Sequence, residues 1–404
     1  MNRTHKIGTM AVAIACAACV ETMGASTVLR EFFDDTISLV PNQLDVTLFE
    51  RITYTDNVKN SHYDRIDSVH FDTGVSVDAY RNVGDFSYGV TGEVSYDYYT
   101  RRGGDLNQWN WILSPFVKGS SVADVHNLKI GFNMTGKIEP LSNANVRYAR
   151  HYTTNLFATY DYARHEHWGI LLNGSYKYEY YPQDEFEDFN KQVITGSVAP
   201  YYRFDADLKT GVRAQWEKNI YESSKYQSDS LKQTYNLFAD YRMNSFFETY
   251  AEAGIEKKSY SGRRRGSNED REWNWNFLGA IRYFPTLRTK IELKSELDVE
   301  DSTAGDVRGG AAFVWDNSLS FTWKPESKYE FITKIGSETQ DEKNNNSDTT
   351  EYYLTVRGNY RFNEHLNFYA QYKYDNVQFK YNHRDHMHAN YYENEITLGV
   401  TYKF

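Results

Sequence analysis

The sequence predicts an all-β chain that closes into a transmembrane, antiparallel, up-and-down β-barrel of about 18 strands. Three observations carry that reading. Apolar and polar residues alternate in many segments, basic residues end every second segment at a near-constant spacing, and short connections alternate with long ones.

The last segment sets the pattern. Ile396, Leu398, Val400, Tyr402 and Phe404 fall on one side, with Glu395, Thr397, Gly399, Thr401 and Lys403 on the other. A period of two makes a strand with one apolar and one wet face. The same alternation sets Phe86, Tyr88, Val90, Val94 and Tyr96 against Ser87, Thr91, Glu93 and Asp97. It sets Leu208, Val212, Ala214 and Trp216 against Lys209, Arg213, Gln215 and Glu217. It recurs at Tyr352, Leu354, Val356, Tyr360 and Phe362 against Thr355, Arg357, Asn359 and Arg361.

Basic residues close alternate strands near positions 81, 118, 164, 203, 242, 282, 324, 361 and 403. Each repeat of about forty residues holds one strand up and one strand down. A propeller also repeats at this scale, but its connections do not alternate in length. Here short turns such as 82–85, 164–168, 242–246, 285–289 and 363–367 interleave with long loops such as 55–65, 101–108, 261–272, 340–351 and 382–394. Nine long loops and eight short turns make a meander with one ragged and one trimmed end, as in outer-membrane barrels.

The strand 289–300 decides which face is wet. Ile291, Leu293, Leu297 and Val299 share one face; Lys290, Glu292, Lys294, Glu296, Asp298 and Glu300 share the other. Each basic side chain at mid-bilayer costs about 2–4 kcal/mol, so the charged face meets water. A closed barrel this wide cannot be filled by side chains, so an apolar interior would enclose an empty hole. Tyrosine and tryptophan cluster toward strand ends, at Tyr96, Tyr98, Trp109, Trp111, Tyr176, Tyr178, Tyr180, Trp273, Trp275, Tyr372 and Tyr374. Such rings suit the two interfaces of a membrane. The competing architecture is a soluble all-β sandwich or propeller.

The start of the chain reads differently. Arg3 and Lys6 precede an apolar stretch at 7–20, and small residues follow near Gly24 and Ala25. This is a signal-peptide pattern over residues 1–25. A short buried helix, or a lipoprotein signal using Cys16 or Cys19, are the other readings. Residues 26–42 form a short periplasmic segment before the barrel of 43–404. Both cysteines lie in the leader, so the exported chain holds no disulfide and no thiol site. No later run of about 18 apolar residues offers a transmembrane helix. The net charge of −10 makes nucleic acid an unsuitable partner.

The tripeptide Tyr202-Arg203-Phe204 recurs at Tyr360-Arg361-Phe362 and as Tyr402-Lys403-Phe404 at the end of the chain. In a barrel it closes a down-going strand, with two rings at the lipid boundary and the base in the lumen. A terminal aromatic after alternating apolar residues resembles the carboxyl-terminal signal of bacterial outer-membrane proteins. That resemblance assigns Phe404 and Tyr402 to recognition by the barrel-assembly machinery. With the repeated two-strand unit, 352–362 and 396–404 also resemble the bacterial outer-membrane channels grouped as β-barrel porin 2. The resemblance implies a porin-like outer-membrane channel, associated in some members with exopolysaccharide export.

Candidate selectivity residues in the lumen are Arg203, Arg213, Arg242, Arg282, Arg357, Arg361 and Lys403. Rings of basic side chains select anions. Carboxylates such as Asp240, Glu248, Glu252, Glu256, Glu292 and Glu296, or Asp205 and Glu364 near the turns, could instead neutralise the wall. Arg263–Arg265 would meet lipopolysaccharide phosphates or stay solvated on an outer loop. His383, His386 and His388, with Asp385, have spacing that lets them share a metal, but a long outer loop lacks the partners that fix ligands. No metal, no cofactor and no catalytic residue is assigned: nucleophile elbow, phosphate loop and triad are all missing. The expectation is a passive outer-membrane pore for hydrophilic solutes, saccharides or exopolysaccharide among them, and not an enzyme. Its partners would be lipid, lipopolysaccharide, the assembly machinery and a solute or glycan. The competing expectation is a non-conducting barrel that serves as a scaffold or docking component of a polysaccharide secretion system.

Overall fold

The computed structural model describes residues 43–58, 65–101, 106–121, 125–140, 148–163, 167–222, 229–261, 273–301, 311–342, 347–381 and 390–404. The expected leader (1–25), the segment 26–42, Arg263–Arg265 and His383, Asp385, His386 and His388 lie outside them.

Eighteen strands follow in order. They are β1 (Gln43–Thr55), β2 (Ser68–Val83), β3 (Phe86–Tyr99), β4 (Gln108–Ser120), β5 (His126–Pro140) and β6 (Tyr148–Tyr162). Next come β7 (Trp168–Tyr180), β8 (Lys191–Arg203), β9 (Leu208–Tyr221), β10 (Ser230–Asn244), β11 (Phe247–Tyr260) and β12 (Asn274–Thr286). The last are β13 (Thr289–Asp301), β14 (Ala311–Trp323), β15 (Tyr329–Glu342), β16 (Ser347–Arg361), β17 (Leu366–Tyr381) and β18 (Tyr391–Lys403). Each pairs antiparallel with its sequence neighbours, and β1 pairs with β18 to close the sheet into a barrel. The closing ladder runs from Thr47 opposite Lys403 to Thr55 opposite Glu395. Beyond it, the Phe404 amide donates to the Val46 carbonyl at 2.9 Å.

The two ends differ as expected. Connections at one end are short: β2–β3, β10–β11 and β12–β13 turn on two residues each. In the first of these Gly84 takes a φ of 55°, the left-handed region that a tight hairpin requires. The opposite end carries the longer loops, including a 3-10 turn at Asp184–Phe189. One expected loop is largely strand. Within 340–351, β15 runs on to Glu342 and β16 begins at Ser347. Likewise Tyr391–Asn394 belong to β18 rather than to the loop before it.

Alternation sorts the side chains. Leu237, Leu293, Ile335 and Leu398 stand on the outer wall, with exposures of 68%, 51%, 52% and 56%. Trp109, Trp275 and Trp315 belt the long-loop end; Trp168, Phe204, Trp323, Phe362 and Phe404 belt the other, all exposed. Among the described residues no helix is long and apolar enough to cross a membrane. The outer wall, however, is an apolar band between two aromatic girdles, the exterior of a transmembrane barrel.

The inner wall is polar but carries rings. Phe49, Phe157, Tyr201, Phe238, Tyr353 and Tyr369 point inward, each directly opposite a glycine: Gly74, Gly131, Gly169, Gly211, Gly336 and Gly399. Each ring occupies the space where a Cβ on that glycine would stand. Tyr201, Phe238 and Ala199 form a small inward apolar cluster with Leu171 and Tyr250. The Tyr201 hydroxyl donates to Asp161 at 2.7 Å, so the buried ring keeps its polar end satisfied.

Deleting Phe404 removes the last closing hydrogen bond and one ring of the short-turn girdle. The folded, heat-modifiable fraction in membranes should fall several-fold on gels. An unchanged fraction would mean that the terminal ring is dispensable for closure.

Candidate functional site

The lumen wall is the candidate site, because alternation delivers every strand's charged side chains to it. At the short-turn mouth, Arg203, Arg242, Arg282, Arg361 and Lys403 all face inward, one at or near the end of each of β8, β10, β12, β16 and β18. Their carboxylate partners are uneven. Arg242 lies 3.3 Å from Glu248, and Arg282 bonds Glu292 at 3.0 Å and approaches Glu248 at 3.7 Å. Lys403 pairs with Asp45 at 2.9 Å across the barrel closure. Among the described residues, no carboxylate pairs with Arg203 or Arg361. Asp205 caps its own turn, accepting from the Asp207 and Leu208 amides at 2.8 and 2.7 Å.

Arg361 and Lys403 line a cavity of about 740 Å³ at this mouth, together with Arg288, Lys324, Lys328 and Arg357. Its carboxylates are Glu326, Glu330 and Glu364, and Lys324 is paired with Glu330 at 2.7 Å. Bases therefore outnumber acids around the basin. Arg213 and Arg357 sit deeper. Arg213 pairs with Glu252 at 2.7 Å, and Arg357 donates to Asn359 at 2.9 Å.

The sequence reading placed lumen bases mainly in the second half of the chain. The structure adds Arg51, Lys129, Lys209, Lys232 and Lys334. Arg51 bonds Asp72 at 2.8 Å and lies 3.7 Å from Glu93. Many of these cations share one arrangement. Arg51 stands 4.2 Å from the Phe49 ring centre, Lys209 4.1 Å from Tyr201, Lys334 4.9 Å from Tyr353 and Arg357 4.2 Å from Tyr369. Lys129 and Arg213 stand 5.5 and 5.4 Å from Phe157 and Phe238. Each of these six rings thus has a glycine beneath it and a cation on it. Alternation alone would have put these bases on the wet face; matching them to rings needs the register.

The long-loop end holds buried side chains. Asn57, Val58, Leu106 and Phe186 are buried there. A second cavity of about 420 Å³ lies below, lined by Lys177, Glu179, Lys191, Glu217, Lys258 and Glu300 among others. Its charges are tied together: Glu179 pairs with Lys177 and, at 3.5 Å, with Lys191. Among the described residues no group of histidine, cysteine and carboxylate side chains is arranged to hold a metal ion.

The sequence matches no protein-family model and no curated protein. Among solved structures, OccK2 (OpdF) of Pseudomonas aeruginosa aligns with a TM-score of 0.51 at 10% identity, over 90% of this chain and 99% of that one. OccAB2 of Acinetobacter baumannii gives 0.49 at 10% identity, over 91% and 100%. OccK2 in complex with glucuronate gives 0.49 at 10% identity, over 90% and 97%. At this identity the likeness is one of fold. The chain therefore shares the fold of these outer-membrane proteins: a closed antiparallel barrel, here of 18 strands, with an apolar exterior and a charged interior.

The uneven pairing at the short-turn mouth generates a test. Arg203→Gln, Arg282→Gln and Arg361→Gln together remove three inward charges, two of which have no carboxylate partner. The reversal potential under a KCl gradient should move toward cation preference, most at low salt, since screening acts over about 8–10 Å. Folding should be unaffected. Identical potentials in the parent and the triple variant would reduce the bases to wall lining.

Proposed function

We propose that the chain is an outer-membrane channel that passes hydrophilic solutes by diffusion, with its long loops outside the cell and its short turns in the periplasm. One observation carries this reading: a closed barrel of 18 strands has a lumen lined by charges rather than filled by apolar side chains. Barrels of 16–18 strands leave an aqueous channel. The basin at the short-turn mouth gives that end a basic character, which favours anionic solutes, acidic saccharides included. The reading assigns no chemistry to the lumen, and the rings there are poor platforms for stacking sugars, since their faces are occupied. Lipid and lipopolysaccharide are the partners of the outer wall, and the assembly machinery that of the last strand.

The burial of Val58, Leu106 and Phe186 at the long-loop end favours a second reading. Apolar side chains packed at that end suit a barrel that serves as a scaffold or docking component for polysaccharide secretion without conducting.

Planar-bilayer recording separates the two. Stable, resolvable conductance steps from the purified barrel are the expected outcome; silence from correctly folded protein would favour the scaffold.

Orientation has its own test. An epitope inserted between Glu342 and Ser347 should be labelled on intact cells, whereas one at 363–365 should be reached only after the outer membrane is opened. The reverse pattern would invert the barrel.

A further inference from the structure

One hairpin leaves the wall. β12 begins at Asn274 and β13 continues to Asp301, yet their ladder stops at Phe277 opposite Leu297. β13 and β14 stay paired as far as Asp301 opposite Ala311, so the two strands part from β12 together, as an arm. Lys232 of β10 donates to Asp298 and, at 3.1 Å, to the Val299 carbonyl, and stands 3.3 Å from Glu256 of β11. β10 and β13 are three strand spacings apart round the wall, about 14 Å. A lysine side chain is far shorter than that. The arm must therefore lie across the inner face of β11 and β12.

Burial agrees. Alternation puts Val299 on the lipid side with Leu297, but it is 1% exposed. This corrects the sequence reading of 289–300, in which Val299 belonged to the lipid face. Meanwhile Trp275, the residue of β12 that continued pairing would set opposite Val299, is 75% exposed. Asp298, Val299 and Glu300 of the arm form one side of the 420 Å³ cavity, and β6–β11 supply the other.

We propose that the described outer ends of β13 and β14, residues 298–301 and 311–314, are a gate on the long-loop mouth, held inward by Lys232. The latch is electrostatic. Lys232 is the cation between Glu256 of the wall, whose side chain is buried, and Asp298 of the arm, whose side chain is partly exposed. Removing the lysine leaves a buried carboxylate beside a second one with no cation between them, and their repulsion drives the arm away. The alternative position is already specified by the register. Extending the ladder past Phe277 opposite Leu297 sets Asn276 opposite Asp298 and Trp275 opposite Val299. Val299 then rejoins the lipid-facing band, the β12 edge gains its backbone partners, and the mouth widens by the thickness of the arm.

The test uses a disulfide that only the outward position can form. Residues 275 and 299 become cross-strand neighbours there and come within disulfide reach. The double variant Trp275→Cys/Val299→Cys is oxidised in membranes, and bridging is counted in the heat-modifiable, folded fraction alone, above that of the parent chain. Adding Lys232→Met should raise the bridging rate tenfold or more, whereas Lys232→Arg, which keeps the charge, should leave it unchanged. Equal rates with Lys232 and Lys232→Met would overturn the gate. This readout needs no conduction, so it stands or falls separately from the channel reading. In bilayers, the bridged barrel should conduct in larger steps than the same barrel reduced; equal steps would show that the arm does not narrow the mouth.

Discussion

A bilayer offers no water to an open backbone, so the sheet has to close on itself. The pairing of β1 with β18 meets that demand, and much of the rest follows from it. Once the ring is complete, each strand has one face to lipid and one to water, and period two in the sequence becomes a partition between them. The charges have nowhere to go but inward. There they must find partners, as Arg213 does in Glu252 and Arg282 in Glu292. The ladder is cut short between β12 and β13, and there the inner face of the wall supplies a buried lysine, beside Glu256, to hold Asp298 of the departing strands.

Strand count, face assignment and the trimmed and ragged ends were all legible, because alternation and turn chemistry are local signals. Strand ends were not. Gln340, Thr349 and Glu351 line the lumen, and a polar lumen-facing run looks like a loop until its partner strand is known. Val299 was misread for a different reason. Its departure from the wall is decided by Lys232, 67 residues earlier, which no window on β13 contains. The bases at the short-turn mouth were legible through the recurring aromatic-basic-aromatic tripeptide. Arg51, Lys129, Lys209 and Lys334 lack that punctuation, and their pairing with rings depends on cross-strand register.

The lumen's electrostatics are mostly internal. Lys290 with Glu292 and Lys294 with Glu296 pair along one strand at 2.5 and 2.6 Å, and Lys373 with Asp375 does so at 2.6 Å. A wall of this kind presents dipoles more than net charge to a passing solute. Any preference for one sign then rests on the minority of groups without a counter-charge, among them Arg203 and Arg361. The six glycine-seated rings are engaged in the same way, covered by a cation, so they serve the wall rather than the cargo.

Those seats have a geometric consequence. An aromatic side chain projecting straight from a barrel wall would obstruct the bore; one laid into the recess left by a missing Cβ stays nearly flush with it. Gly74, Gly131, Gly169, Gly211, Gly336 and Gly399 therefore set the calibre of the passage without touching its circumference. Strand number and outer belt fix how the barrel fits the membrane, while these recesses fix how much of the enclosed space is left free. The two properties are written in different residues, so the calibre can drift in evolution, or be altered by design, while the barrel's seat in the bilayer stays the same.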